Sequence, residues 1–294
     1  MKASLTACLL FAGLMVSCSK QPVFRVDTSW ETGSAVVFSV SGLDTKADAV
    51  VNLPSFGVSC FMGELGRKAQ LQWRSVYMDE GEGVYVAETH DRYWPQVGDP
   101  GYKFVASNAE LTLSSSSIRI DADGSTDVVV AVNQTPSPRS SNTLDFHHIY
   151  ARIGKVTVSE VGMHPLTEVS ITLVPRIGGI YDVMAGDGHS DGTGWGSFKY
   201  GSETEISSGN AGVKDNDLLI VPGSYVLTAR WSVRKPNRIA SFEKTREVVF
   251  EAGTNSNILT SFGSDGEDLT LSVSLRDWNS TDQEATFVEE EEEE

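Results

Sequence analysis

The chain has 294 residues, 40% of them hydrophobic, and sets 40 Asp and Glu against 23 Lys and Arg for a formal net charge of −17. Binding to phosphate backbones needs clustered Lys and Arg, so this balance argues against nucleic acid as a partner. The six consecutive glutamates that close the sequence, Glu289 to Glu294, read as a solvated tail.

The N-terminus carries Lys2, an apolar run from Leu5 to Val16, and the small residue Ser17 before Cys18. This is the layout of a secretory signal peptide over residues 1–17, and the run is shorter than the roughly 20 apolar residues of a membrane-spanning helix. Met15-Val-Ser-Cys18 resembles the lipobox of bacterial lipoproteins, although Met15 stands where Leu is commonest. That resemblance implies cleavage between Ser17 and Cys18, acylation of the Cys18 thiol, and attachment to the outer membrane through the lipid. Cleavage there discards Cys8 and uses Cys18, leaving Cys60 as the sole thiol. No internal disulfide can then form, so apolar cores must hold the fold. Cys60 itself reads as a small buried hydrophobe. What remains is enough chain for about two ordinary domains.

Short strand signals follow in order: Ala35 to Val40, Gly57 to Phe61, Ala109 to Leu113 and Ser117 to Ile120. Asp127 to Val132 is a nearly continuous apolar run between polar segments, the pattern of a strand covered on both faces. Leu144 to Tyr150 and Lys155 to Val158 come next. A break is placed near Gly162 to Pro165, before an alternating run with Val169, Ile171 and Leu173. Gly178 to Gly212 is rich in glycine and poor in apolar residues, so it is expected to be a large surface loop, with room for a hairpin around Trp195 to Tyr200. Beyond it, Tyr225, Leu227, Ala229, Trp231 and Val233 share one face at period two, as do Leu269, Leu271, Val273 and Leu275. Glu247 to Phe250 is a short candidate between them. Helical periodicity is missing, and no short repeat points to a solenoid or propeller. The expectation is an all-β chain of antiparallel sandwiches.

Several segments in order resemble the fimbrillin-like family of type V pili. They are Tyr93-Trp-Pro95 with Tyr102-Lys-Phe-Val-Ala106, Asp127-Val-Val-Val-Ala131, Leu144-Asp-Phe-His-His148, Leu218-Leu-Ile-Val-Pro222, Glu251-Ala-Gly253 with Ile258-Leu-Thr260, and Leu271 to Trp278. The resemblance runs from the lipobox to Trp278. It implies two tandem transthyretin-like β-sandwich domains, at 49–164 and 165–280, after a leader at 18–48 and before an acidic tail at 281–294. It also implies lipoprotein export and, after proteolysis behind a basic residue, loss of an N-terminal strand whose place a strand of a neighbouring subunit takes. Strand entry would restore ladder hydrogen bonds and fill emptied apolar pockets. Ala35 to Val40, with Val36, Phe38 and Val40 on one row, matches the removable strand, and Lys46-Ala47 stands at the processing site, with Lys46 where Arg is usual. After Trp278 only Ala285 to Val288 is apolar, little material for a donor strand. This points to a tip or accessory subunit, the alternative being that the row Leu269, Leu271, Val273 and Leu275 is itself donated. Surface display and a host or bacterial ligand rest on the resemblance.

Residue constellations for chemistry are sparse. His189, Ser190 and Asp191 are sequence neighbours and cannot converge as a relay from separate elements, and the chain is expected not to be an enzyme and to need no cofactor. Asp121, Asp123 and Asp127 have a spacing that can gather oxygen ligands around Ca²⁺, yet the distal bidentate Glu is missing and an acidic turn is preferred, so no metal is expected. His147 and His148 point to opposite faces, one expected to pack near Phe146 or Tyr150 and the other to face water. Trp94 reads as core. The competing function is a monomeric glycan-binding surface lipoprotein using Trp195 or Trp94.

Overall fold

A computed structural model describes residues 34–41, 53–63, 65, 70–81, 83–94, 101–113, 117–136, 142–159, 166–186, 194–208 and 212–278. The fold is all-β: the described residues form strands, numbered β1 to β20 in chain order, and among them there is no helix.

Eight strands make one sheet: β1 (Val37–Ser41), β2 (Ser55–Met62), β3 (Gln70–Asp79), β4 (Val84–Ala87), β5 (Tyr102–Ser107), β8 (Val129–Asn133), β9 (Thr143–Asp145) and β10 (His147–His148). Their order is β10-β8-β5-β2-β3-β4-β1-β9. The sheet curls until its ends meet, Asn133 Nδ2 of β8 donating to Thr143 O of β9 at 3.4 Å. Alternation gives the sheet its apolar inner face. Phe38, Phe56, Val58, Tyr77, Tyr85, Phe104 and Leu144 all point inward and share one core. The outward residues of β5 and β8, Val105 and Val130, are buried as well. That is the double covering predicted for the apolar run at Asp127 to Val132.

What covers that outer side is a four-stranded sheet, β14-β13-β7-β6, built from β6 (Thr112–Leu113), β7 (Ile118–Ala122), β13 (Arg176–Asp182) and β14 (Trp195–Tyr200). Ile118 and Ile120 of β7, Tyr181 of β13 and Trp195 of β14 form this second core with Val105, Val130, Tyr150 and Val221. The glycine-rich run is therefore strand as well as turn, and the loop expected across Gly178 to Gly212 is corrected. β13 lies between two neighbours whose backbones come close. A Cβ at Gly178 would collide with the Ala122 carbonyl, and one at Gly179 with the Ser197 carbonyl. Glycine here marks close backbone approach within a sheet rather than a loop.

The remaining strands are β11 (Ala151–Ser159), β12 (Leu166–Leu173), β15 (Thr204–Ser208), β16 (Gly212–Ile220), β17 (Gly223–Lys235), β18 (Arg238–Phe250), β19 (Thr254–Phe262) and β20 (Leu269–Asp277). They form sheets β16-β11-β19-β20 and β15-β12-β17-β18. These face each other across a third core holding Ile153, Val156, Ile171, Leu227, Trp231, Val233, Ile258, Leu269 and Leu271. Trp231 is anchored there by Nε1 donating to Gly266 O at 2.8 Å. Most strand pairs are antiparallel, but β1 with β9 and β11 with β19 run parallel. β11 precedes the break placed near 162 yet packs its apolar row into this third core. β13 follows the break yet pairs with β7. β18 extends the short candidate at Glu247 to Phe250 back to Arg238; most of its residues are exposed, so it carries little apolar alternation for a sequence to show.

Candidate strand-exchange site

β1 is short, but it lies inside the curled sheet and not at its margin. On one side it pairs antiparallel with β4, Phe38 opposite Tyr85; on the other it runs parallel to β9, Val40 opposite Leu144. Extra backbone bonds extend the ladder: Val36 N to Arg92 O at 2.9 Å, Ser39 N to Asn142 O at 3.0 Å, and Phe146 N to Ser41 O at 2.9 Å. The inward row is Val36 and Phe38, each 1% exposed, and the partly buried Val40. The Phe38 ring stands edge-on to Tyr77 and Phe104, both at 4.9 Å between centroids. The other row is polar at its end, with Ser39 Oγ and Thr143 Oγ1 at 2.9 Å and Ser41 Oγ donating to Asp145 Oδ1 at 3.1 Å.

The covalent link of this strand to the rest of the sheet is simple. The chain continues from β1 to β2 only through residues 42–54, so one cut there leaves β1 held by non-covalent contacts alone. Were it to leave, β4 and β9 would each lose a ladder partner. The pocket row over Phe56, Tyr77, Tyr85, Phe104, Leu144 and Phe146 would open, an arrangement with both components that strand addition uses. The processing residues Lys46 and Ala47 lie outside the described residues, as do Ser17 and Cys18.

β20 is a different case. It is the outer strand of its sheet and pairs with β19 from Phe262–Leu269 to Thr254–Asp277. Leu269 and Leu271 are buried in the third core, Val273 is partly buried, and Leu275 is 44% exposed. Its open edge is capped from within the molecule: Lys244 Nζ donates to Leu269 O at 2.9 Å, and Arg246 Nη1 donates to Leu271 O. Capping of edge carbonyls by cationic side chains is a means of discouraging pairing with another chain. Sequence reasoning did not find these two residues, since nothing in the spacing of Lys244 and Arg246 tells which strand edge they reach.

The candidate calcium carboxylates are each engaged separately. Asp121 pairs with Lys199 Nζ at 2.6 Å, Asp123 accepts from Ser125 Oγ at 2.6 Å and Ser125 N at 2.9 Å, and Asp127 meets His148 Nδ1 at 2.6 Å. The Ser125 bonds hold the Asp123 carboxyl below the usual range. Among the described residues no three His, Cys, Asp or Glu side chains converge to hold a metal ion. His189, Ser190 and Asp191 lie outside the described residues. His147 and His148 are both half-buried, and His148 stacks on Trp278, so neither is the wet residue expected; the partner comes from the far end of the chain.

Trp94 and Trp195 are 4% and 8% exposed, and Trp195 Nε1 donates to Ile149 O at 3.3 Å. Neither presents a face on which a sugar could stack, which removes the two aromatics invoked for glycan binding. Cys60 is fully buried, and burial pushes its thiol up to about 12.

No family model and no curated protein matches the sequence. Solved structures do match in fold. A candidate cell adhesion protein of Bacteroides ovatus aligns with TM-score 0.53 at 14% identity, covering 85% of this chain and 99% of its own. Others from Parabacteroides distasonis (TM-score 0.52, 12% identity, 85% and 98%) and Bacteroides uniformis (0.51, 14%, 83% and 99%) carry the same description. The likeness spans nearly the whole of each of those chains, so the fold is shared with them.

Proposed function

We propose that this chain is a non-enzymatic subunit of a type V bacterial fimbria, displayed at the cell surface and assembled by exchange of its first strand. Cleavage within residues 42–52 frees β1, and a strand of a neighbouring subunit enters between β4 and β9. The observation that carries this reading is the position of β1: N-terminal to every other described strand, yet internal to the sheet and supplying two fully buried side chains. An internal strand joined to the rest at one end only is what a single cut can make replaceable. The likeness in fold to candidate cell adhesion proteins supports the same reading.

The lipid anchor at Cys18 would hold the subunit at the outer membrane until it assembles. Tandem transthyretin-like sandwiches remain the expected domain plan. The test is to cut the folded full chain once at a protease sequence introduced within 42–52 and follow it by size-exclusion chromatography and mild SDS gels. The expected result is release of the β1 peptide with concentration-dependent, heat-sensitive ladders. Retention of β1 with a strictly monomeric product would overturn the reading.

A further inference from the structure

The slot that β1 fills contains polar groups that β1 does not satisfy. Tyr77 and Tyr85 are fully buried, and their hydroxyls have no hydrogen-bond partner among the described residues. Arg92 Nε is a third such group, although the rest of that guanidinium is engaged with Asp91 and with Arg74 O. Both phenol rings border the row occupied by β1: Tyr85 stands opposite Phe38 in the ladder, and the Tyr77 ring is 4.9 Å from the Phe38 ring. Phe56 lies against both, 6.3 Å from Tyr77 and 4.8 Å from Tyr85. Arg92 adjoins the start of the same strand, its carbonyl accepting from Val36 N.

Buried hydroxyls without partners are rare in folded proteins because each forfeits its hydrogen bonds to water. The inward side chains of β1, Val36, Phe38 and Val40, carry no polar atom that could compensate. Burial also holds the Tyr77 and Tyr85 phenols above their ordinary range, so they stay protonated donors that can also accept.

We propose that the strand which replaces β1 carries a hydroxyl or amide side chain on its inward row, flanking the Phe38 position, and that Tyr77 and Tyr85 select for it. β1 is then an incomplete occupant, suited to hold the slot until a better-matched strand arrives. This rests on the strand-exchange reading and adds to it the chemistry of the incoming strand.

The experiment uses the full chain cut once within 42–52 and fluorescent peptides of residues 34–41, in the native sequence and with Val36→Thr or Val40→Thr. Threonine matches valine in shape and exchanges one methyl group for a hydroxyl. Anisotropy titrations are made on the cut wild-type chain and on the cut Tyr77→Phe/Tyr85→Phe chain. The expected result is that at least one threonine peptide binds the wild-type slot about tenfold more tightly than the native peptide, the factor for one net hydrogen bond of about 1.4 kcal/mol. That gain disappears in the double-phenylalanine chain. Native peptide that enters with no threonine gain, or a gain that survives loss of both hydroxyls, overturns the inference alone. Failure of every peptide to enter overturns the strand-exchange reading and this inference with it.

Discussion

Trp278 lies flat against His148, ring centroids 4.4 Å apart and planes within 15°, and His148 Nδ1 meets Asp127 at 2.6 Å behind it. Arg152, paired with Asp217, places its guanidinium 5.9 Å from the same indole. The last described residue, at the end of β20, thus packs against the core that joins the curled sheet to its outer cover. β20 belongs to the third core, so this stack ties one core to another. Trp278→Ala should destabilise the chain by about 1–3 kcal/mol, with Trp278→Phe milder because it keeps a ring over the imidazole. Urea unfolding of the full chain measures both.

Pairing of β13 with β7 depends on glycine where the backbones approach. Gly178→Ala should cost about 2–4 kcal/mol, because the added methyl meets the Ala122 carbonyl and only separation of the strands relieves it. Gly196→Ala is the control: its nearest atom would be Ile180 O at 3.9 Å, ordinary contact, and stability should move by no more than about 0.5 kcal/mol. Thermal melts of the two variants make the comparison.

Lys244 and Arg246 close the edge of β20. Replacing both by alanine should leave the fold intact while exposing the Leu269 and Leu271 carbonyls to another chain. Light scattering behind size exclusion should then show concentration-dependent association that the parent lacks. An unchanged profile would mean that the two side chains do not guard the edge.

The thiol of Cys60, pushed up to about 12 by burial, carries negligible thiolate at pH 8. In a chain with Cys8 and Cys18 replaced by serine, a disulfide reagent should find no reactive thiol in the native state and one after denaturation.

Glu203 accepts from Thr172 Oγ1 at 2.8 Å and from Arg230 Nη1 at 3.2 Å, which holds its carboxyl below the ordinary glutamate range. A folded-state value below the unfolded one means that falling pH protonates the unfolded chain first. The stabilisation is complete above the ordinary glutamate range and is lost as pH drops through the lowered value. Glu203→Gln should therefore flatten the acid side of a melting temperature against pH curve, leaving the neutral side nearly unchanged.

The fold class was legible in the sequence because strand periodicity is local: Tyr225 to Val233 and Leu269 to Leu275 declare a buried face wherever they end up. The apolar run ending at Val132 announced a strand covered on both sides, and Val36 with Phe38 announced an inward row. Local pattern says nothing about which strand lies beside which. Gly178 and Gly179 looked like loop because glycine is ambiguous until a neighbouring backbone is known to pass close by. The parallel seat of β1 beside β9, the reach of Lys244 and Arg246 to β20, the stack of Trp278 on His148 and the isolation of the Tyr77 and Tyr85 hydroxyls all join residues far apart in the chain. Composition and alternation determined that this protein buries apolar rows in sheets. Only tertiary structure decided which edges are closed, which neighbours flank β1 and which polar groups are left unanswered, because hydrogen bonding and packing between distant segments depend on register and curvature that no single segment encodes.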